Sequence, residues 1–336
     1  MILCLILSIP VLWLVGIFLG DCDFSLRFWE RFGSSPKAKL YGRVCWITGA
    51  SSGIGENLAY ELTKFGCKLV LSARRRSELE RVKEQCIAIA KEANTSYNAD
   101  QDILVLPMDV TEYDKHTELV RSVLDHFNKI DILINNSGRS QRGLAVETPG
   151  IEVEKAMLDL NFLAVVSLTK AVLPHMIERK NGHIVVTSSV AGKIGAPMST
   201  SYNATKFAVQ GYFDGLRVEL FPKNIHVTLV CPGPVRTAIR DNAFTEQVDV
   251  SVKDKGVVAP PATKDNRMET SRCAQLIVTG VTNKLDELWI SPNPILFFLY
   301  AQQYLPNIFA WVMKRLGVKQ VMKMRERATG NKDKSS

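Results

Sequence analysis

The chain of 336 residues carries 42 Lys and Arg against 34 Asp and Glu, a formal net charge of +8. The excess lies at the ends: residues 1–43 hold five bases and three acids, residues 314–336 hold eight bases and two acids, and the rest has 29 of each. A neutral body excludes a basic nucleic-acid-binding face. The content of 46% hydrophobic and 23% charged residues excludes a wholly disordered chain.

The first 20 residues contain no charged side chain and are rich in Ile, Leu, Val, Phe and Trp. About 20 apolar residues suffice for a helix that spans a bilayer. Because no basic start and no small-residue cleavage site accompany this run, residues 1–20 are predicted as an uncleaved transmembrane signal-anchor rather than a removable signal peptide. Residues 21–43 carry five bases and are predicted as a basic juxtamembrane linker, which keeps the body on the cytosolic side.

From residue 44 onward, short apolar runs alternate with longer amphipathic ones. The predicted strands are 44–48, 68–72, 103–108, 131–135, 183–187, 226–230 and 287–290, and the predicted helices are 54–65, 77–93, 117–127, 151–176 and 201–220. This alternation predicts a single α/β domain over 44–290, a Rossmann-type doubly wound parallel sheet with helices on both faces. Ligands of such sheets bind at the carboxyl ends of the strands.

Two segments depart from this alternation. Residues 241–267 are polar and contain Pro260-Pro261, so they form either a substrate loop or a surface insertion without a role. Residues 291–328 are predicted as a helical segment, first apolar and aromatic and then basic, that lies in the membrane interface, covers the substrate pocket or makes a dimer contact. Residues 329–336 are predicted as a disordered tail.

A glycine-rich turn follows the first strand and opens the first helix of the body. Gly49, Gly53 and Gly55 remove Cβ atoms where a pyrophosphate must approach the backbone. The N-terminus of the helix offers free N–H groups and the positive end of its dipole to that anion. The strand–turn–helix context, with a second βα unit behind it, separates this turn from ordinary turn glycines.

The second strand is followed by Arg74-Arg75-Arg76, and no acid occurs before Glu78. An acid at this position would bind an unmodified ribose 2′-hydroxyl, whereas an arginine accommodates a 2′-phosphate. The sequence therefore favours NADP(H) over NAD(H), with Arg74 as the first candidate and Arg75 as the second. The alternative is a basic helix start on a solvated surface.

Tyr202 and Lys206 lie four positions apart in a predicted helix and share one of its faces. A phenol has a pKa of about 10 and is a poor base at neutral pH. A neighbouring ammonium and a cationic nicotinamide would lower that pKa. Ser189 follows the fifth strand, where its hydroxyl can hydrogen-bond a carbonyl or alcohol oxygen. A lone YxxxK usually marks two surface residues, but this one follows both a strand-terminal Ser and a dinucleotide loop.

These motifs resemble the short-chain dehydrogenase/reductase superfamily over roughly residues 41–290. The matching positions are TGASSGIG at 48–55, Asp109, NNSG at 135–138, Asn161, Ser189, Tyr202-x-x-x-Lys206 and PGPVRT at 232–237. The resemblance implies that Tyr202 is the acid/base and that Ser189 orients the substrate oxygen. It also implies that Lys206 binds the nicotinamide ribose and lowers the pKa of Tyr202, while Asn161 holds a water of the proton relay. Ser137 stands where the family usually has Ala.

The resemblance also implies the cofactor site. Asp109 would contact the adenine edge, Asn135 would lie beside the adenosine ribose, and Thr237 would touch the carboxamide or the phosphates. The full predicted cofactor-binding set is Thr48, Gly49, Ser51, Ser52, Gly53, Ile54, Gly55, Arg74, Asp109, Asn135, Tyr202, Lys206 and Thr237. No metal ligands are predicted.

Within the superfamily, residues 172–180 and 188–198 make the chain similar to the membrane-anchored dehydrogenase/reductase member seven branch and to microsomal hydroxysteroid dehydrogenases. This implies NADP(H)-dependent chemistry on a lipophilic carbonyl or alcohol, such as a steroid or retinoid. It also implies a place in the endoplasmic-reticulum membrane and leaves a homodimer open. The alternative is a non-catalytic dinucleotide-binding membrane scaffold, which would not need the intact set of Asn161, Ser189, Tyr202 and Lys206.

Overall fold

The computed structural model of the protein describes residues 20–93, 95, 98–255 and 266–328, without the side chains of 99, 100 and 319–328. The predicted membrane anchor, except Gly20, and the predicted tail at 329–336 lie outside the described residues. The same holds for residues 256–265 of the predicted substrate loop.

In the described part of the chain, seven strands form one parallel sheet in the order β3-β2-β1-β4-β5-β6-β7. They are β1 (Val44–Thr48), β2 (Lys68–Ser72), β3 (Ile103–Val105), β4 (Ile132–Asn135), β5 (Gly182–Thr187), β6 (Ile225–Pro232) and β7 (Glu287–Ile290). The predicted fold class is confirmed. The strand β3 ends three residues earlier than predicted, although the N–H groups of Leu106 and Met108 still donate to the carbonyls of Leu71 and Ala73, both at 3.0 Å.

Helices cover both faces of the sheet. They are α1 (Phe24–Phe32), α2 (Pro36–Leu40), α3 (Gly53–Lys64), α4 (Arg76–Glu92), α5 (Ala99–Asp102), α6 (His116–Phe127), α7 (Glu152–Leu158), α8 (Ala164–Arg179), α9 (Thr200–Leu220), α10 (Thr270–Thr282), α11 (Ile295–Tyr304) and α12 (Pro306–Ala328). Side chains of α3, α4 and α10 pack on one face of the sheet, and those of α6, α8 and α9 pack on the other. The sheet is therefore doubly wound, as predicted.

The helix predicted at 151–176 contains an irregular turn. A π-helical turn, Asp159–Leu163, joins α7 to α8. Among the described residues, one helix is long enough and apolar enough to cross a membrane, and it is the combined stretch Glu152–Arg179. Its side chains Leu168, Val172 and Met176 are buried among residues of the sheet. The helix is therefore apolar because it is packed in the core of the domain.

Residues 21–43 differ from the predicted linker, because they fold into α1 and α2 and dock on the domain. Leu26 of α1 is completely buried. Asp23 caps α1 and exchanges backbone and side-chain hydrogen bonds with Trp289 of β7 at 2.8 and 2.9 Å. Arg272 of α10 binds Asp21 at 2.7 Å. The charge pattern of this segment concealed the buried apolar residues Cys22, Leu26 and Leu40 and the cap at Asp23, which fix the segment to the domain.

The carboxylate of Asp131 is buried at the edge of the sheet opposite the strand ends that carry the site. It accepts the N–H of Val44 at 2.9 Å and lies within 2.9 to 3.5 Å of Arg179, Lys129 and Arg43. Burial by itself would raise its pKa, but the hydrogen bonds from Val44, Arg179 and Lys129 lower the pKa overall. This charge therefore stabilises the fold above the pKa of an unfolded aspartate.

We expect Asp131→Ala to lower the free energy of unfolding by about 2 to 3 kcal/mol at neutral pH, because a buried hydrogen-bonded charge is lost while its half-exposed partners can be solvated. Since the folded pKa of Asp131 is lowered, the difference between variant and wild type should shrink as the pH falls below about 4. Urea unfolding at several pH values measures both effects. Asp125→Ala, at an exposed position of α6, is the control and should change little.

Candidate active site

The predicted site residues gather at the carboxyl edge of the sheet. Thr48 ends β1, Asn135 ends β4, Ser189 follows β5, and Thr237 follows β6. The strand order reverses between β1 and β4, which are neighbours in the sheet although β2 and β3 intervene in the chain. Ligands of open α/β sheets bind at such a switch point.

The turn between β1 and α3 has the shape of a phosphate cradle. Gly49 and Gly53 adopt φ angles of 67° and 61°, which favour glycine. A Cβ atom on Gly55 would lie 2.3 Å from the carbonyl oxygen of Gly49, and one on Gly53 would lie 3.0 Å from Cγ2 of Thr237. The glycines thus keep the backbone close together at the N-terminus of α3, and this geometry fits the pyrophosphate of a dinucleotide.

A cleft of about 440 Å³ opens beside this turn. It lies between the first residues of α3 and the segment after β6. Gly53, Asn57, Thr237, Arg236 and Thr270 are among the residues that line it. Its volume falls within the usual range for small-molecule sites, and its position places Thr237 within reach of a ligand on the cradle.

Thr48 holds the site together rather than facing outward. Its hydroxyl is buried and accepts the backbone N–H groups of Asn136 and Ser137 at 3.0 and 3.1 Å. The side chain of Asn136 donates to the carbonyl of Thr48 and accepts from Thr187 at 3.2 Å. Asn136, which was not predicted as a site residue, therefore ties the ends of β1, β4 and β5 to one another.

Asn135 ends β4 at the carboxyl edge of the sheet, and its side chain is turned towards α8. Its side chain is buried and donates to the hydroxyl of Thr169 on α8 at 3.0 Å. The amide therefore stabilises the packing of β4 on α8. The backbone of Asn135, rather than its side chain, faces the carboxyl edge of the sheet.

Arg74 and Asp109 are close enough to interact. Arg74 follows β2 and is exposed. The carboxylate of Asp109 accepts the N–H and the hydroxyl of Thr111 at 3.0 and 2.8 Å. Partial burial would raise the pKa of Asp109, but these hydrogen bonds and the charge of Arg74 lower it overall. Both residues thus lie on the β2–β3 side of the switch point, where the resemblance places the adenosine.

Asn161 sits inside the π-helical turn and is completely buried. Its amide accepts the N–H of Arg139 and donates to the carbonyl of the same residue, both at 2.9 Å, and it lies 3.2 Å from the hydroxyl of Thr205. It therefore clamps the segment after β4 to α9. π-Turns are rare and occur frequently at functional sites, and nothing in the local sequence pattern indicated this one.

The Ser189 hydroxyl lies close enough to the Tyr202 phenol to lower its pKa. The Ser189 hydroxyl also accepts the N–H of Ala191 at 3.1 Å and lies 3.3 Å from the carbonyl of Pro232. Burial raises the pKa of Tyr202, while the nearby Ser189 hydroxyl and the charge of Arg142 lower it in part. From the sequence, Lys206 is expected to lower the pKa of Tyr202. In the structure, the cation that lowers it is Arg142.

Lys206 is buried and donates from Nζ to the carbonyl of Thr187 at 2.8 Å. The Nζ atom lies 5.7 Å from the centre of the Tyr202 ring. Burial lowers the pKa of Lys206 to about 8. A Cβ atom on Gly138 would lie 3.8 Å from Nζ and 3.1 Å from Oδ1 of Asn161. Asn161 and Lys206 thus border the segment after β4, and Lys206 also contacts the end of β5.

The described part of the predicted substrate loop lies over Tyr202. Phe244 donates its N–H to the carbonyl of Ser140 at 2.9 Å and accepts from the N–H of Arg142 at 2.7 Å. Its ring packs with Val153 and Met157 of α7 into an apolar cluster that includes Tyr202 at its edge. A ligand oxygen at Tyr202 would therefore sit against an apolar wall.

A family model for short chain dehydrogenases matches residues 43–248. This match covers more than half of the chain. The chain belongs to the short-chain dehydrogenase family. Family membership makes it an oxidoreductase with a nicotinamide dinucleotide as its class of cofactor.

Relatives that match nearly the whole chain belong to the same family. Dehydrogenase/reductase SDR family member 7 of Homo sapiens is 43% identical over 96% of this chain and 91% of its own length. The protein of the same name from Mus musculus is 44% identical over 94% and 90%. The 11-beta-hydroxysteroid dehydrogenase 1A of Arabidopsis thaliana is 34% identical over 80% and 75%. The predicted likeness to the member seven branch of this family is confirmed.

Solved structures show the same fold at lower identity. A short-chain dehydrogenase/reductase of Burkholderia phymatum in complex with NAD aligns with a TM-score of 0.65 at 24% identity, over 79% of this chain and 94% of its own. An alcohol dehydrogenase of Thermococcus sibiricus complexed with 5-hydroxy-NADP aligns with a TM-score of 0.62 at 23% identity, over 75% and 97%. At these identities the likeness extends to the fold alone.

We expect Gly55→Ala to weaken dinucleotide binding by at least about tenfold, because an unavoidable contact with the Gly49 carbonyl opens the cradle. Titration of the protein with the dinucleotide, followed by tryptophan fluorescence, measures the dissociation constant. Gly211→Ala is the matched control, since a Cβ atom there meets nothing within 4 Å and alanine favours the helix. Equal affinity in both variants would contradict the proposed position of the phosphates.

Proposed function

We propose that the protein is an NADP(H)-dependent oxidoreductase that interconverts a lipophilic carbonyl compound, such as a steroid or retinoid, with its alcohol. The observation that carries this proposal is that the Ser189 hydroxyl lies beside the Tyr202 phenol, that Tyr202 borders an apolar wall, and that buried Lys206 is on the same helix as Tyr202. The arrangement provides a proton donor, an oxygen-orienting hydroxyl and a dry surface for the rest of the substrate.

In the proposed reaction the cofactor transfers the hydride and the protein transfers the proton. The bound dinucleotide supplies or accepts the hydride at its nicotinamide. Tyr202 passes a proton to or from the substrate oxygen, and Ser189 holds that oxygen within hydrogen-bonding distance of the phenol. Lys206 places a positive charge beneath the ring, and Asn161 fixes the backbone around the proton path.

Arg74 supports the choice of NADP(H). It is exposed directly after β2, at the position where an arginine accommodates a ribose 2′-phosphate. Its charge lowers the pKa of Asp109, so the pair frames the adenosine end of the proposed site.

We also propose that the protein is anchored in the endoplasmic-reticulum membrane with its catalytic domain in the cytosol. The apolar residues 1–20 lead directly into α1, whose Phe24, Phe28 and Phe32 are exposed. The N–H of Phe24 contacts the hydroxyl of Tyr300 on α11 at 3.3 Å, and α12 exposes Trp311. Exposed aromatic residues next to an apolar span suit the membrane interface.

The test is a screen of the full-length protein, in detergent or vesicles, against steroid, retinoid and quinone carbonyls while NADPH consumption is followed. NADH is run in parallel. NADPH should be preferred by at least about tenfold, and Arg74→Glu should remove that preference. Arg121→Glu, at an exposed position of α6, is the control. Binding of NADPH without turnover of any carbonyl would favour the scaffold alternative.

A further inference from the structure

Arg139 connects the segment after β4 to the loop that lies over Tyr202. Its backbone is held by the buried amide of Asn161, which accepts its N–H and donates to its carbonyl, both at 2.9 Å. Its side chain reaches the loop, where Nε donates to the carbonyl of Asn242 and Cζ lies 3.7 Å from the centre of the Phe244 ring. The backbone of this arginine is therefore fixed by the π-helical turn, and its guanidinium by the loop.

The guanidinium of Arg139 lies over the ring of Phe244, well within the distance of about 6 Å that a cation–π contact requires. Arg139 is partly buried, and burial is the largest cause that lowers its pKa, followed by the charge of Arg74. A cation that has lost part of its water gains more from an aromatic ring than an exposed one does. An arginine stacks its planar group on such a ring, whereas a lysine offers a point charge. The contact therefore depends on the shape of the arginine as well as on its charge.

The backbone of Phe244 is fixed by pairing on both of its sides. Its N–H donates to the carbonyl of Ser140 at 2.9 Å, and its carbonyl accepts the N–H of Arg142 at 2.7 Å. On the other side it forms an antiparallel bridge with Ser251. These bonds hold the main chain but leave the side chain a choice of rotamers. The stacked guanidinium of Arg139 favours the rotamer that the structure shows.

The position of the Phe244 ring shapes the pocket at the catalytic tyrosine. The ring is buried and packs with Val153 and Met157 of α7, and Tyr202 borders the same cluster. Small-molecule sites are lined mostly by such apolar and aromatic side chains. A carbonyl compound whose oxygen is held at Tyr202 would therefore place the hydrocarbon beside its carbonyl against this ring.

We propose that Phe244 is a specificity-determining residue and that Arg139 is a positioning residue, which holds the Phe244 ring against the hydrocarbon part of the substrate. This inference rests on the proposed function and names the side chains that select lipophilic substrates. Neither residue takes part in the reaction: the carbonyl carbon accepts the hydride of NADPH, and the carbonyl oxygen takes the proton from Tyr202. Arg139 acts on the substrate only through Phe244.

The first test compares carbonyl compounds of increasing size as substrates of the full-length protein: linear aldehydes of increasing length, and fused-ring ketones from cyclohexanone through a decalone to a steroid ketone. In each series that the wild type reduces, KM should fall as the apolar surface grows. Phe244→Ala should raise KM for the largest member by at least about tenfold, with a smaller change in kcat, and Phe244→Leu should have a smaller effect. Phe221→Ala is the matched control, because its ring is 80% exposed.

A double variant separates positioning from direct binding by Arg139. Arg139→Met should raise KM for the largest substrate by about 3- to 10-fold in the wild type, but by less than about twofold in the Phe244→Ala background. Arg139→Lys should not restore the wild-type KM, since the planar group is missing. Arg121→Met, at an exposed position of α6, is the control for the loss of an arginine. All variants should bind NADPH equally in a tryptophan-fluorescence titration, which also shows that they are folded.

The outcomes that would overturn the inference are distinct. An equal effect of Arg139→Met in both backgrounds would show that Arg139 contacts the substrate itself, and a loss of NADPH affinity in this variant would show that it serves the cofactor. Full rescue by Arg139→Lys would contradict the stacking. A wild type whose KM does not depend on substrate size would overturn the inference while leaving the proposed function intact. A wild type that reduces no carbonyl compound would overturn both.

Discussion

Replacing Tyr202 by phenylalanine should reduce carbonyl turnover by about 100- to 10,000-fold, because the only change is the loss of the hydroxyl proposed to exchange the proton. The ring of Tyr202 borders the apolar cluster at Phe244, and a phenylalanine fills the same space. Dinucleotide affinity should therefore change little. NADPH-dependent reduction and the quenching of tryptophan fluorescence by NADPH, measured on the same preparation, separate the two effects.

Tyr212→Phe provides the matched control for this experiment. Tyr212 lies on the same helix, α9, and its ring packs edge-on against Phe162 and Phe213. It also loses one phenolic hydroxyl without a change in shape, so its turnover should stay near that of the wild type. Retained turnover in Tyr202→Phe would refute the proposed mechanism. A parallel loss in Tyr212→Phe would show that the effect comes from the helix rather than from proton transfer.

Most of the fold could be predicted from the sequence because its strands are short, apolar and buried on both faces. The strands β1, β2 and β7 have the predicted bounds, since each is a compact apolar run between polar residues. The end of β3 was predicted too late because the apolar run continues to Met108, beyond the end of the strand at Val105. The docking of α1 depends on Leu26 and on partners in β7 and α10, more than 240 positions away in the chain, and no local pattern reveals such a contact.

The site was predictable where a residue type has a strict geometric reason. Gly49, Gly53 and Gly55 are needed for close backbone approach, and Tyr202 and Lys206 are coupled by helical spacing. The direction of a side chain is harder to predict, as with Asn135, whose amide donates to Thr169 in the core. The site residues that were missed depend on tertiary structure: Asn136 bridges three strand ends, and Arg142 meets Tyr202 only through the fold of the segment after β4.

Removing the charge of Lys206 should lower activity but raise stability. Burial lowers its pKa from 10.5 to about 8, so its charge costs roughly 3 kcal/mol of folding free energy at neutral pH. Below the folded pKa both states hold the proton and the full cost applies. Between that pH and about 10 the unfolded state holds more protons, so the free energy of unfolding rises with pH.

Lys206→Met should therefore abolish most activity without destabilising the protein. Methionine fills the space of the lysine stem, and the carbonyl of Thr187 loses one donor, at a cost of about 1 kcal/mol. At pH 7 the variant should be more stable than the wild type by about 1 to 2 kcal/mol, and this difference should shrink as the pH rises through about 8 to 10. Turnover should fall by at least about 100-fold, because the positive charge beneath Tyr202 is gone.

Urea unfolding and NADPH consumption, both followed at several pH values, measure these two changes together. Lys193→Met is the matched control, because the Nζ of Lys193 is less buried and lies 2.8 Å from the Glu287 carboxylate. Its loss should leave stability unchanged or slightly lower, with no gain that depends on alkaline pH. A Lys206→Met variant that unfolds more easily at pH 7 would show that the lysine is held for structure. A variant that is more stable and inactive would show that the fold accommodates a costly charge because the chemistry at Tyr202 requires it.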